Sequence, residues 1–300
     1  MATDTKLINV AVSTETIAQI TRTDKLGRQT RKYAIPHCLC GVCTVTNRLN
    51  EVTSVTSIIG GTLKSGGLDG WRKKWMDTKF QELQGAEINH NTQQEIYNAS
   101  SLEADRSANL GTEVHLIIEK LLRGEDVNYG VNSDQLEPAV RAWLKWRHLH
   151  TEWQFIGAEV GIYDSHLKYA GQVDAVFKSG NDYMVVDWKT SSDGPRGSGI
   201  HVDNYLQIGA YAGTLRSMLG RMHAMGEIPK PRVFGCVVRL CNNYPNKPAR
   251  AENYSYRYED KVFSGNVEYA DVPVTEWYKN FKTVLYTYQI TKKRLDTITI

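Results

Sequence analysis

An α/β fold, with a mixed central β-sheet flanked by helices, is predicted by three features of the 300-residue sequence. Three strand-like runs divided by turn residues, 156–162, 171–176 and 183–186, follow one another closely enough to form a meander. Two amphipathic helical patterns precede the meander, one with Val114, Ile117, Ile118, Leu121 and Leu122 on a single stripe, the other with Val140, Trp143, Leu144 and Trp146. A third helical pattern, 203–224, follows it and leads into another apolar run, 233–240. Strands interleaved with helices in this way bury the sheet on both faces.

Composition sets loose bounds. With 41% hydrophobic residues the chain buries a sizeable core. A net charge of +3 and a pI near 8.5 are only mildly basic, so a nucleic-acid partner would need a localised positive groove. No run of eighteen apolar residues and no charged-then-apolar leader is present, so a cytoplasmic protein without a membrane partner is expected. Asp4, Glu15 and Asp24 also argue against a mitochondrial presequence, which avoids acids.

In chain order, residues 7–49 alternate β-branched stretches with polar turns and read as a β-rich extension over 1–50, ahead of a domain over 51–300. His37, Cys38, Cys40 and Cys43 crowd into this extension. With Cys236 and Cys241 the cysteines would suffice for a zinc or iron–sulfur site, while the plainer reading is a set of reduced thiols with Cys236 in the core. Residues 63–83 are helical in pattern, with Trp71 and Trp75 around Arg72, Lys73 and Lys74. Aromatics among cations suit single-stranded nucleic acid; the alternative is two core-facing tryptophans beside a solvated basic face. Residues 85–99 are polar and read as a loop over the site, and a helix is expected from about 102 to 122, stopped by Gly124. Gly111 inside that helix costs about 1 kcal/mol against Ala, which a close approach to the sheet would offset. A scaffold helix over 134–151 carries Pro138 near its start. After the meander, the glycine-rich 191–199 reads as a mobile arm with Arg196 as its charge. Asp203 is the expected cap of the next helix, on which Gln207 and Tyr211 share a face, and a last helix is expected over 275–295.

The chemistry concentrates in the meander. The strand 183–186 ends in Asp187-Trp188-Lys189, so two charged side chains leave on one side of the strand. A hairpin brings Asp174 near Asp187, and Glu159 sits on the neighbouring strand. Three carboxylates and an ammonium at one end of a sheet outline a site for Mg²⁺, a hard cation that takes oxygen ligands. Lysine beside such a site orients water and offsets charge on a phosphodiester under attack.

Asp174, twelve intervening residues and Asp187-Trp188-Lys189 resemble the motif of the PD-(D/E)XK nucleases. Val173 stands where the family's name has proline, and Gly171-Gln172-Val173-Asp174 resembles the Gly-x-x-Asp version of RecB-like domains. Gly111-Thr112-Glu113-Val114-His115 upstream and Gln207 to Tyr211 downstream are similar to further RecB-like motifs in the same order. The segment 54–59 followed by 68–71 resembles the opening of phage and mitochondrial genome-maintenance exonucleases. The resemblance implies a PD-(D/E)XK core and a DNA exonuclease using one or two Mg²⁺ or Mn²⁺ ions, in a bacterial or phage-infected cell, on DNA that is single-stranded or has free ends. It implies Asp174, Asp187, the Trp188 carbonyl, Glu159 and His115 around the metal, Lys189 aligning the nucleophile, and Gln207 and Tyr211 positioning the strand. Arg196, Lys73, Lys74 and Trp71 are the remaining DNA-contact candidates. The alternatives are a structure-specific or CRISPR-adaptation-like endonuclease and a non-catalytic nucleic-acid-binding module.

Overall fold

The computed structural model describes residues 18–23, 29–36, 49–63, 68–87, 89–127, 133–191, 199–241, 255–258, 261–264 and 266–298. Its centre is the meander β4 (Gln154–Asp164), β5 (Tyr169–Ser179) and β6 (Asp182–Ser191). Each turn has a local cause. Asp164 closes the first by accepting the backbone N–H groups of His166 and Leu167 on Oδ1, at 3.0 and 2.9 Å. Gly180 opens the second, a two-residue hairpin, at φ +58°, where a glycine sits without strain.

The sheet is mixed and eight-stranded, in the order β1 (Ala18–Thr23), β2 (Gln29–Pro36), β3 (Leu49–Ser54), β5, β6, β7 (Arg232–Cys241) and β10 (Asn266–Val272), with β4 paired to β5 off this path. A small separate hairpin joins β8 (Ser255–Tyr258) and β9 (Lys261–Ser264). The registers explain where a site opens. β4 covers one edge of β5 from Tyr169 to Lys178. The other edge is divided: β3 pairs there in parallel through Tyr169 and Ala170, and β6 antiparallel through 175–179. Residues 171–174 therefore face a gap between two strands, and Asp174 and Asp187 are the first residues past the last β5–β6 pair, Ala175 with Val186.

Helices cover both faces. On one lie α1 (Val55–Thr62), α5 (Val202–Ala224) and α6 (Val274–Ile298), packed over Val173, Val176, Val185 and Val237. On the other lie α3 (His90–Leu122) and α4 (Ser133–Leu149), over Ala175, Phe177, Val186 and Val238. Val173 and Ala175 belong to opposite cores although regular alternation would put them on one face. The pleat therefore changes phase at Asp174. Opposite it on β4, Glu159 has φ +52° and a bulge lies between Phe155 and Gly157.

Several expectations shift. Helix α3 begins at His90, so most of the expected loop 85–99 is helical: Asn89 accepts from the N–H of Thr92, Thr92 Oγ1 accepts from the N–H of Asn89, and α2 (Leu68–Glu82) packs alongside. Segment 54–59 divides into the end of β3, the N-cap Ser54 and the start of α1. The N-cap of α5 is His201, with Asp203 in the first turn, where its charge faces the positive end of the helix dipole. Pro138 lies inside α4, beyond its first turn. Gly111 is as expected a point of close approach, since a Cβ there would lie 3.1 Å from Thr190 Oγ1.

Helices α5 and α6 touch through glycines. A Cβ on Gly209 would fall 2.6 Å from the carbonyl carbon of Trp277, and one on Gly213 would fall 2.3 Å from Tyr278 Cγ. Backbone does not yield as a flexible side chain does. Gly209→Ala is thus expected to destabilise the fold by about 2 kcal/mol, overpacking exceeding the roughly 1 kcal/mol gained in helix propensity. A melting temperature equal to or above that of the parent would contradict this crossing.

Candidate active site

The strand β6 sorts its last residues by alternation. Trp188 is 2% exposed and sits among Trp143, Trp146 and Phe177 in the α3/α4 core, which fixes the strand end and turns Asp187 and Lys189 to the opposite face. Both line a cleft of about 460 Å³ at the gap in the sheet. Its walls come from His115 and Glu119 of α3, Glu159 of β4, Gln172 and Asp174 of β5, and Gln207 and Tyr211 of α5. The gap thus joins residues far apart in sequence.

Asp187 is fully buried. Its Oδ1 accepts from Gln207 Nε2 at 2.9 Å, and its Oδ2 lies 2.6 Å from Lys189 Nζ, an ionic contact not aligned as a hydrogen bond. Burial pushes the Asp187 carboxyl up to about 6 against the pull of Lys189. Lys189 opens into the cleft with its side chain 31% exposed. Burial would lower its pKa, but Asp187 and Asp174 together raise it, so the ammonium is held charged.

Asp174 bridges the parted strands by accepting the Trp188 N–H on Oδ2 at 2.7 Å, and His115 Nδ1 lies 3.6 Å from the same oxygen. His115, Glu159 and Asp174 each offer a ligand atom, all within 4.8 Å of one another. Burial and then repulsion from Asp174, Glu119 and Asp187 lift the Glu159 carboxyl to about 7. A divalent cation fits this trio, because it would relieve that repulsion with an oxygen-rich set of donors. The left-handed backbone of Glu159 is a position that a non-glycine residue holds only at a cost of about 1–3 kcal/mol.

Two neighbours act on the geometry. Tyr211 is 3% exposed, its ring lies against Gly171, and its hydroxyl accepts from Gln207 Nε2 at 3.2 Å. It supports Gln207 from beneath and presents no open face for a base. A Cβ on Gly171 would meet that ring at 2.3 Å. Gly171→Ala is therefore expected to displace Tyr211 and Gln207, lowering catalytic turnover more than stability; equal losses in both measurements would mean a purely structural glycine.

Not every candidate residue is gathered here. Trp71, Lys73 and Lys74 lie on α2, which packs on α3 away from the cleft lining, with Lys73 and Lys74 exposed. Arg196, like Cys38, Cys40 and Cys43, lies outside the described residues. Cys236 and Cys241 are buried thiols, and burial pushes Cys236 up to about 12, which disfavours its thiolate. The cleft also contains Arg31, Tyr33, Thr56, Thr112 and Gln172, which the sequence alone does not single out. Thr112 and Gln172 lie within the motifs named above, whereas Arg31 and Tyr33 arrive through the β2–β3–β5 pairing, which no local pattern announces.

No helix among the described residues is long and apolar enough to cross a membrane. Nothing among curated proteins matches the chain. Among solved structures it is similar to one described as the crystal structure of SSO0001, at 14% identity and a TM-score of 0.32, over 74% of this chain and 85% of that one. A family model matches residues 87–262, more than half of the chain, and covers Asp174, Asp187-Trp188-Lys189, His115, Glu159 and Gln207. That model describes the PD-(D/E)XK nuclease superfamily, whose members cut nucleic acids with divalent metals, and the chain belongs to it.

Proposed function

We propose that the chain is a metal-dependent DNA exonuclease of the RecB-like type, with residues 51–300 as the nuclease domain and 1–50 as a β-rich extension. The observation that carries the nuclease reading is the parting of β5 and β6, which opens a cleft lined by the candidate metal ligands His115, Glu159 and Asp174 and by the Asp187–Lys189 pair. A divalent ion, Mg²⁺ or Mn²⁺, would supply positive charge at the scissile phosphate and lower the pKa of the attacking water. Asp174, Glu159 and His115 would hold it, and Asp187 would join them by giving up Gln207 or Lys189.

In this reading the Lys189 ammonium aligns the water and offsets charge developing on the phosphoryl oxygens. Gln207, released from Asp187, donates to a phosphate oxygen while Tyr211 keeps it in place. Arg31, exposed at the mouth of the cleft, is a further cation for the backbone of the strand. Trp71, Lys73 and Lys74 on α2 would contact the strand farther out, and Arg196 is a further candidate cation for the strand backbone. Motif order, with Gly111 to His115 before the acids and Gln207 to Tyr211 after them, favours the RecB-like exonuclease over an endonuclease.

The test uses linear and circular DNA, single- and double-stranded, labelled at either end, with Mg²⁺, Mn²⁺ or EDTA. The expected result is metal-dependent shortening of linear strands from one end, with circles intact. Cleaved circles would replace the exonuclease reading by an endonuclease, and binding without cutting under any metal would leave a non-catalytic module.

A further inference from the structure

A second cavity, of about 260 Å³, lies outside the cleft, between the β4–β5 turn and the helices α5 and α6. It is lined by Arg221 of α5 and Lys282 of α6, with Tyr286, Met218 and Tyr163 as its apolar and aromatic walls. Among the described residues neither Arg221 nor Lys282 is paired with a carboxylate; Lys282 Nζ lies 5.0 Å above the Tyr278 ring. The one acid among the described lining residues, Asp164, has its oxygens engaged by the His166 and Leu167 N–H groups and by the Tyr278 hydroxyl at 2.9 Å. Two cations without a carboxylate partner among the described residues thus face a concave surface beside Tyr286, which is 52% exposed.

The chemistry that suits this groove is a phosphate with an aromatic ring attached. Two cations from different helices on one concave lining suit an anion between them, and an exposed tyrosine offers a stacking face. The volume is below that of pockets for drug-sized ligands, roughly 300 Å³ upward, and suits a unit the size of one nucleotide. The groove and the cleft are separate cavities that share one wall element. Both border α5, with Gln207 at one and Arg221 at the other, and Tyr163 of the groove packs on the small cluster of Tyr33, Val52 and Ala170. Arg221 lies fourteen positions beyond Gln207 on the helix, about 21 Å at 1.5 Å per residue, or about six nucleotides of stacked strand at 3.4 Å each.

We propose that this groove is a second nucleotide-binding site for the substrate strand, with Arg221 and Lys282 on a backbone phosphate and Tyr286 under a base, several nucleotides from the scissile bond. The proposal rests on the nuclease reading for its source of nucleotides, but its test reads binding as well as cutting. Shared chemistry leaves two sources, a strand or a free nucleotide, and the measurement separates them.

Fluorescence anisotropy of end-labelled 3-mer and 12-mer oligodeoxynucleotides is measured in EDTA over a salt series, with deoxyadenosine monophosphate as competitor. Proteins compared are the parent, Arg221→Gln/Lys282→Gln and Tyr286→Ala, each checked for folding by thermal melting. The parent is expected to bind the 12-mer at least tenfold more tightly than the 3-mer. The double substitution should remove at least fivefold of that advantage and reduce the log–log salt slope by about 0.7 for each phosphate no longer neutralised. Tyr286→Ala should weaken 12-mer binding several-fold with the salt slope unchanged. An unchanged length advantage in folded variants overturns the site, and monophosphate binding that depends on Arg221 and Lys282 but does not displace the 12-mer overturns its assignment to the strand. A length advantage that depends on Arg221 and Lys282 in a protein that cuts nothing upholds the groove while the exonuclease reading fails. Cutting by a parent whose length advantage survives the substitutions does the reverse.

Discussion

Lys189→Ala is expected to lower metal-dependent cleavage by about 10³-fold and also to destabilise the protein by about 3 kcal/mol near pH 8. The two losses have one origin. Asp187 is fully buried, and the Lys189 ammonium stands against its Oδ2 at 2.6 Å. Removing the ammonium leaves a buried carboxylate with no ion-pair partner facing it from β6 and with the Gln207 amide as its hydrogen-bond donor among the described residues. Burial already pushes Asp187 up to about 6, and loss of the lysine pushes it further. A carboxyl with a raised folded pKa binds its proton more tightly in the folded state. The stability deficit is therefore largest above that pKa and shrinks as the pH falls through it. Asp187→Asn added to Lys189→Ala should restore most of the stability and none of the activity. Chemical denaturation at pH 6 and pH 8, beside cleavage rates of the single and double variants, checks both halves. More than a tenth of parental activity in the single variant would remove Lys189 from the chemistry.

How far the sequence revealed this pair depended on local alternation. Asp187 and Lys189 flank Trp188, and a strand turns such residues to one side whatever the rest of the chain does, so their shared face was legible. Gln207 and Tyr211 were legible for the same reason on a helix, four residues apart. What alternation does not encode is a break in alternation. The phase change between Val173 and Ala175, the left-handed Glu159 opposite and the division of one edge of β5 between β3 and β6 are consequences of pairing across long separations in sequence. Arg31 reaches the cleft by that route. The polar stretch at the start of α3 misled in the opposite sense. Its helix is stabilised by the Asn89–Thr92 cap and by packing against α2, neither of which gives an apolar stripe.

Glu159→Gly is expected to make the metal-free protein more stable and almost unable to bind metal. Two unfavourable terms disappear together. One is the φ of +52°, which glycine adopts freely and which costs a non-glycine residue about 1 kcal/mol or more. The other is charge: burial and then the nearby acids Asp174, Glu119 and Asp187 raise Glu159 from its usual 4.5 to about 7. Such a group stabilises the fold when protonated, so the metal-free parent should lose stability as the pH climbs from about 4.5 to about 7, by an order of 1–3 kcal/mol. Asp187, raised to about 6, adds to the same trend at its lower end. A divalent ion held by Glu159, Asp174 and His115 acts against the repulsion, and its gain in melting temperature should therefore grow between pH 5 and pH 8. Glycine should flatten the metal-free pH profile, gain about 2 kcal/mol at pH 8 after its own entropic penalty of up to about 1, and weaken Mn²⁺ binding by about 100-fold or more. Glu159→Gln separates the contributions, because it removes the charge and keeps the strained backbone, and should recover the charge part alone. Thermal melts in EDTA and in Mn²⁺ across this pH range decide the matter: a glycine variant that is less stable without metal, or that gains as much from Mn²⁺ as the parent, would take Glu159 out of the metal site.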